Sequence, residues 1–238
     1  FTFSRRAIAL NRRVTWPMVA QSIPVIVEKA LFALGKTVVN SMCTVYGATM
    51  VGAMGVSNNL GGITTSPQNG YQEGAAAVIS QNYGAHRYQR VFSAFYATVV
   101  INVLLGALIS GIELWRIDFF AGLFDSGSAE FHRMITLVYR YEALGAVPLG
   151  INSAVMALLY GLGRTRLTLL VNFSRIFIFR IPVFWFLQNF TDFGEASVGI
   201  VMMVSNVTVA VMAVIVAAAV LVRFRAEHGN AAVEGRQS

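Results

Sequence analysis

Outside the long apolar runs of this chain, basic residues gather in every second gap between those runs. Arg5, Arg6, Arg12 and Arg13 precede the first run, and His86, Arg87 and Arg90 follow the second. Arg164 and Arg166 follow the fourth, and Arg223 with Arg225 closes the last. The intervening gaps are polar or acidic: residues 44–48, the stretch from Asp118 to Glu130, and Asp192 with Glu195. Arg116 and Arg133, flanking the middle acidic gap, are the exceptions. A Lys/Arg excess in the short loops of one side is what orients membrane spans, and a soluble helical protein has no reason to alternate its arginines. The pattern predicts an all-α membrane protein, a bundle of about six transmembrane helices with both ends in the cytoplasm.

Composition agrees. The chain is 56% hydrophobic and only 12% charged, against about 25% charged in an ordinary soluble domain. A net charge of +7 could suggest nucleic acid. Here the basic residues cluster at span ends, where anionic lipid headgroups lie, and too little wet surface is left for a basic groove. Membrane lipids are the expected partner and nucleic acid is not. Cys43 is the only cysteine, so neither an internal disulfide nor a thiolate metal cluster can form. His86, His132 and His228 lack ligand spacing, and no metal site is expected. The chain opens on Phe1 and a basic stretch rather than a cleavable signal peptide. Lacking an initiator methionine, it is expected to be a fragment.

The spans are expected at residues 16–46, 48–82, 91–114, 135–159, 167–187 and 198–222. Pro24 lies inside the first and should bend it by deleting a backbone hydrogen bond. The second is interrupted by Gly61, Gly62, Pro67, Gly70 and Gly74, which lipid tolerates only where protein or a wet cavity satisfies the freed backbone. The third, with little polar content, reads as lipid-facing support. The fourth carries Pro148 and Gly150 near its middle. In domain terms, residues 1–13 form a cytoplasmic basic lead-in and residues 14–225 one transmembrane lobe. Residues 226–238 form a cytoplasmic polar tail, expected to be disordered.

Three segments carry family information: PVIVEKALFALGK at residues 24–36, PQNGYQEGAAAVISQNYGA at residues 67–85, and GLGRTR at residues 161–166, followed by Asn172, Arg175 and the Arg180-Ile-Pro182 ending. In this order and at these distances they resemble the second half of a multidrug and toxic compound extrusion (MATE) transporter, from about Arg12 to Val222. The resemblance implies one six-helix lobe of a twelve-helix, two-lobe transporter, with a central cavity between the lobes. It implies export of cationic or amphiphilic organic compounds, as in multidrug efflux, in exchange for Na⁺ or H⁺ by alternating access. The coupling ion is then the only cofactor. The partners are a small organic substrate and either the missing N-terminal six-helix lobe or a second copy of this chain. The location implied is a bacterial-type cytoplasmic membrane.

A carboxylate within a span costs about 2.5–3.5 kcal/mol on insertion scales, so it normally faces a cavity or a partner. Glu28 is the leading ion-coupling candidate, one turn after Pro24 on a helix where relatives carry an acid. In some relatives the acid stands at the level of Phe32. The competing reading pairs Glu28 with an Arg or Lys near the cytoplasmic end. Glu142 is the second coupling candidate, not simply neutralised by Arg140, because residues two apart do not share a helix face. Glu73, between Gly70 and Gly74, is expected at a helix seam or cavity wall, where small neighbours allow close approach. Gln68, Asn152, Asn172 and Arg175 are the other cavity or seam candidates, with Arg175 and Arg180 tying helices together as the plainer role.

Two other readings stay open. Flipping of a lipid-linked precursor would want a strongly basic cavity, and only Arg140, Arg175 and Arg180 are candidate intramembrane arginines. A non-transporting half-gene fragment is the other. An enzyme is not expected: the chain has no His-Glu-x-x-His, no Gly-x-Ser-x-Gly and no paired intramembrane aspartates.

Overall fold

A computed structural model describes residues 12–125 and 127–228. Every regular element among them is helical. In chain order these are α1 (Arg12–Cys43), α2 (Ala48–Gly84), α3 (Tyr88–Trp115), the short α4 (Ile117–Gly122), α5 (Ala129–Leu144), α6 (Ala146–Gly161), α7 (Thr165–Phe173), α8 (Ile181–Phe190) and α9 (Ala196–His228). A single 3₁₀ turn, Thr44–Tyr46, follows α1, and a π-helical turn, Ser174–Arg180, joins α7 to α8.

Four stretches are long and apolar enough to cross a bilayer by themselves: Thr15–Tyr46, Tyr88–Trp115, Thr165–Phe190 and Ala196–Ala226. A fifth is the pair α5 and α6, bent by 47° at its break. The sixth long unit, α2, carries too many Asn, Gln, Ser and Thr side chains to qualify on hydropathy. One side of it packs against α3, α5 and α6, while Asn69, Gln72 and other polar side chains on another side line a cleft rather than lipid. The chain is thus a helical membrane bundle.

Two expectations are corrected. Helix α2 is continuous through Gly61, Gly62, Pro67, Gly70 and Gly74, as α1 is through Pro17 and Pro24. The interruption falls instead at Gly145, between α5 and α6, where an added Cβ would stand 2.5 Å from Nδ2 of Asn206. Helix α3 is more than lipid-facing support. One of its faces buries Thr98, Asn102, Gly106, Ser110 and Glu113.

At the basic end the gaps close by αL caps. Gly163, at φ 69°, ends α6, with Arg164 N–H bonded to Leu159 O at 2.8 Å and Gly163 N–H to Tyr160 O at 3.0 Å. That six-to-one, five-to-two pattern is a Schellman cap and gives the Gly-x-Gly-x-Thr motif its physical reason. His86, at φ 57°, closes α2 the same way, with Arg87 N–H bonded to Asn82 O at 2.8 Å. Tyr83 and Tyr88 from this turn meet Phe224 of α9 at ring-centroid distances of 5.8 and 5.4 Å. Arg164, Arg166 and Arg223 share one cavity with Ala20 of α1. The basic gaps therefore lie together at one end.

The opposite end explains the exceptions. Arg133 donates to Glu195 at 2.6 Å, and Arg116 lies 5.9 Å from the rings of Trp115 and Phe119. Asp125 accepts from Gly127 N–H and contacts His132 at 2.9 and 2.7 Å, and both interactions hold its carboxyl below the usual carboxylate range. The lead-in at residues 1–13 falls outside the described residues except for Arg12 and Arg13, where α1 begins. The tail at residues 226–238 does so except for residues 226–228, which continue α9 as helix rather than disorder.

Candidate functional site

Glu28 is buried, at 4% exposure, and points from α1 to the place where α6 and α7 meet. Tyr160 Oη donates to its two carboxylate oxygens at 2.9 and 3.2 Å. Thr168 Oγ1 donates at 2.8 Å and Asn172 Nδ2 at 2.7 Å. Thr168 and Asn172 are four residues apart and so share one face of α7, while the Gly163 cap folds the end of α6 back to bring Tyr160 beside them. All three donors are neutral. Among the described residues no lysine or arginine pairs with Glu28, so the structural reading of Glu28 as half of an ion pair is not what the geometry shows. The carboxylate is held in place without a fixed counter-charge.

Next to this cage a cleft runs between α1 and α2, floored by α6, α7 and the π turn. It comprises two cavities of about 170 and 230 Å³ that share Phe32, Asn69, Gln72, Asn152 and Arg175. Glu28 lines the smaller, and Glu142 the larger. Glu142 accepts from Ser57 Oγ of α2 at 2.5 Å. Gly61 makes room for it, since a Cβ there would stand 3.0 Å from Oε1. Phe32 carries no charge but lies under the Arg175 guanidinium, 5.5 Å from ring centroid to Cζ.

Arg175 and Arg180 also line the cleft and are held from behind by α9. Both donate to Oδ1 of Asn206, at 2.9 and 3.1 Å, and Arg180 Nε donates to Ser205 at 3.0 Å. Two polar atoms of the cleft stay buried without a partner in the described residues: Nε of Arg175 and Oδ1 of Asn152. Gln68 is a seam residue as well as a lining one. Its Nε2 donates to the Asn102 and Ala146 carbonyls at 2.9 and 3.1 Å, joining α2 to α3 and α6.

Glu73 departs from expectation. It is exposed on α2 and lines neither part of the cleft. A Cβ added at Gly70 or Gly74 would meet nothing within 4 Å, so no helix approaches there. The turn faces open space because the polar seam of α2 runs through Gln68 and Gln72 instead. Several residues escaped the sequence reading. Tyr160 and Thr168, two of the Glu28 donors, carried no signal of their own. Lys29 and Lys36 line the cleft; their spacing of seven from each other, with Phe32 between, was the available signal. Glu113, buried in α3, accepts from Thr64 Oγ1 at 2.7 Å and from Tyr139 Oη.

A family model described as MatE matches residues 24–186. Among solved structures, a MATE protein in complex with MaL6 superposes with TM-score 0.87 at 14% identity, covering 94% of this chain and 50% of that one. The outward-facing form of a multidrug resistance MATE family transporter of the MOP superfamily gives TM-score 0.85 at 15% identity, covering 94% and 50%. A MOP superfamily transporter from Pyrococcus furiosus, described as having a binding pocket of reverse polarity, gives 0.84 at 14%, covering 90% and 48%. The chain spans about half the length of these structures. No curated protein matches it.

Proposed function

This chain belongs to the MatE family, and from that premise we propose that it is the second lobe of a secondary transporter exporting cationic or amphiphilic organic compounds in exchange for Na⁺ or H⁺, with Glu28 as the coupling carboxylate. The observation that carries the reading is the cage at Glu28: a buried carboxylate held by Tyr160, Thr168 and Asn172, all neutral, at the wall of a polar cleft. Neutral donors stabilise the negative charge locally and leave it free to attract a mobile cation. H⁺ would bind a carboxylate oxygen directly. Na⁺ would draw on the carboxylate with the Tyr160 and Thr168 hydroxyl oxygens and the Asn172 amide oxygen turned toward it, an all-oxygen set that suits a hard cation.

Occupation of Glu28 by the ion removes the charge that aligns the three donors. Because those donors sit on α6 and α7 and the acceptor on α1, binding changes how tightly α1 is tied to the rest of the lobe. A two-lobe carrier uses such a change to bias which side of the cleft is open. The first lobe supplies the other wall, and the protein resides in a bacterial-type cytoplasmic membrane with its basic end inward.

The test uses the full-length protein in proteoliposomes under separately imposed Na⁺ and proton gradients. Gradient-driven export is expected for one of the two ions, falling to the uncoupled level in Glu28→Gln. Undiminished coupled flux in that variant removes Glu28 from the mechanism. The flippase reading keeps one observation in its favour, the basic lining of the cleft.

A further inference from the structure

The cleft holds four cations, Lys29, Lys36, Arg175 and Arg180, against two carboxylates, Glu28 and Glu142. Each carboxylate has its own neutral donors, and among the described residues none of the four cations reaches either acid as an ion pair; Glu142 lies near enough to feel Arg175, Arg180 and Lys36, yet the cations still outnumber the acids. The Asn206 oxygen shared by Arg175 and Arg180 is an amide and offsets no charge. Arg175 keeps its Nε buried and unpartnered in the wall common to both cavities. An intramembrane cation whose charge is only partly offset normally faces a wet cavity or a partner, and a guanidinium with N–H groups to spare is shaped to take an oxyanion.

We infer that the cleft recognises amphiphiles carrying an anionic group, a phosphate, sulfonate or carboxylate. The oxyanion docks on Arg175 between Lys29 and Lys36, and the apolar body lies along Phe32, Leu149 and Met156. Asn152 Oδ1, the second orphan of the shared wall, then accepts from a hydroxyl or amide of the same ligand. A permanently cationic amphiphile would meet like charge at that point. This rests on the transporter reading and names the substrate class of the same cleft. A lipid-anchored and a freely soluble anion offer the same chemistry.

The experiment uses the full-length protein in nanodiscs and two probes with the same pyrenebutyl body, one ending in a phosphate monoester and the other in trimethylammonium. Binding is followed by pyrene fluorescence without any gradient. The phosphate probe is expected to bind about tenfold tighter, the size of effect one well-placed charge supplies at a partly wet site. Lys36 is exposed, so Lys36→Gln is expected to narrow the preference and Lys36→Glu to bring it to parity or reverse it, in proteins whose melting temperature is first matched to the parent. Equal or tighter binding of the trimethylammonium probe, binding of neither, or a ratio indifferent to Lys36→Glu overturns the inference. Adding an excess of a long-chain lipid phosphate or of inorganic phosphate as competitor tells the two anion sources apart, and displacement by neither also overturns it. The two readings fail separately. Gradient-driven flux with a cationic preference sinks only this inference, whereas binding without any driven flux sinks the transporter reading.

Discussion

Arg175 and Arg180 point at the same atom, Oδ1 of Asn206, from 2.9 and 3.1 Å. In an α-helix of 3.6 residues per turn, side chains five apart stand well over a quarter-turn from each other. The segment between them is a π turn, Ser174–Arg180, whose wider i→i+5 winding brings the two toward one face. The other edge of Asn206 lies over Gly145, where its Nδ2 would be 2.5 Å from an added Cβ. One amide therefore anchors the π turn, α9 and the break between α5 and α6. Asn206→Leu is expected to lower the stability of the detergent-solubilised protein by about 1–3 kcal/mol, the loss of hydrogen bonds to charged groups. Asn206→Asp should recover most of it. A thermal-melting series measures both, and an unshifted midpoint in Asn206→Leu would show that the shared acceptor contributes nothing.

The Gln68 seam makes a sharper prediction about glycine. A Cβ at Gly150 would lie 2.6 Å from the Asn102 carbonyl oxygen and 2.7 Å from Gln68 Nε2; at Gly106 it would lie 2.7 Å from the same nitrogen and 2.9 Å from Ala146 O. The carbonyls are backbone, and the Gln68 amide is pinned by its bonds to Asn102 O and Ala146 O, so neither yields cheaply. Gly150→Ala is expected to cost about 3 kcal/mol or more through overpacking. Gly111 on the same α3 has nothing within 4 Å of its virtual Cβ, so Gly111→Ala should be neutral or stabilising by up to about 1 kcal/mol, because alanine is the better helix former. Expression and melting temperature of the pair decide it, and equal behaviour of the two variants would refute the account.

What could be read from the chain followed the physics that each residue type obeys on its own. The arginine gaps were legible because the positive-inside bias is a property of loops, independent of how the helices meet. Glu28 was legible because a carboxylate in an apolar run is costly wherever it points. Which neighbours receive it was not, since Tyr160 and Thr168 lie 132 and 140 positions away and only the fold brings them close. Gly70 and Gly74 misled for the same reason. A glycine marks either a close approach or an open surface, and only tertiary contact separates the two. Lys36 was legible only as the end of the segment at residues 24–36, because a lysine's side chain alone does not say whether it meets solvent or a cleft wall shared with Arg175.

Glu113 extends that lesson to the opposite half of the lobe. It is buried in α3 and receives Thr64 and Tyr139 on one oxygen, Oε2, while Oε1 has no partner among the described residues. It lines neither part of the cleft, so a structural role is expected. Glu113→Gln keeps an acceptor for both hydroxyls and should retain folding and transport. Glu113→Leu strands the Thr64 and Tyr139 hydroxyls in the interior and should destabilise by about 2–4 kcal/mol. If Glu113→Gln instead abolishes coupling while the protein still folds, the carboxylate has a role in ion transfer that this geometry does not suggest.

The placement of the basic gaps can be checked by labelling, because Cys43 is the chain's only cysteine and is fully buried in α1. With any cysteine outside this lobe replaced, the parent protein should be silent to a membrane-impermeant maleimide. Arg87→Cys, in the turn beside Tyr88, and Arg164→Cys, in the turn after Gly163, lie at the end where Phe224 meets Tyr88 and where Arg164 shares a cavity with Arg223. Both should react from the same face of sealed vesicles. Ser128→Cys, exposed just before α5 at the far end, should react only from the other. The two arginine sites labelling from opposite faces would mean that the helical units joining them do not all cross the bilayer. The even-span arrangement, and with it the cleft as a passage between two aqueous sides, would then fail.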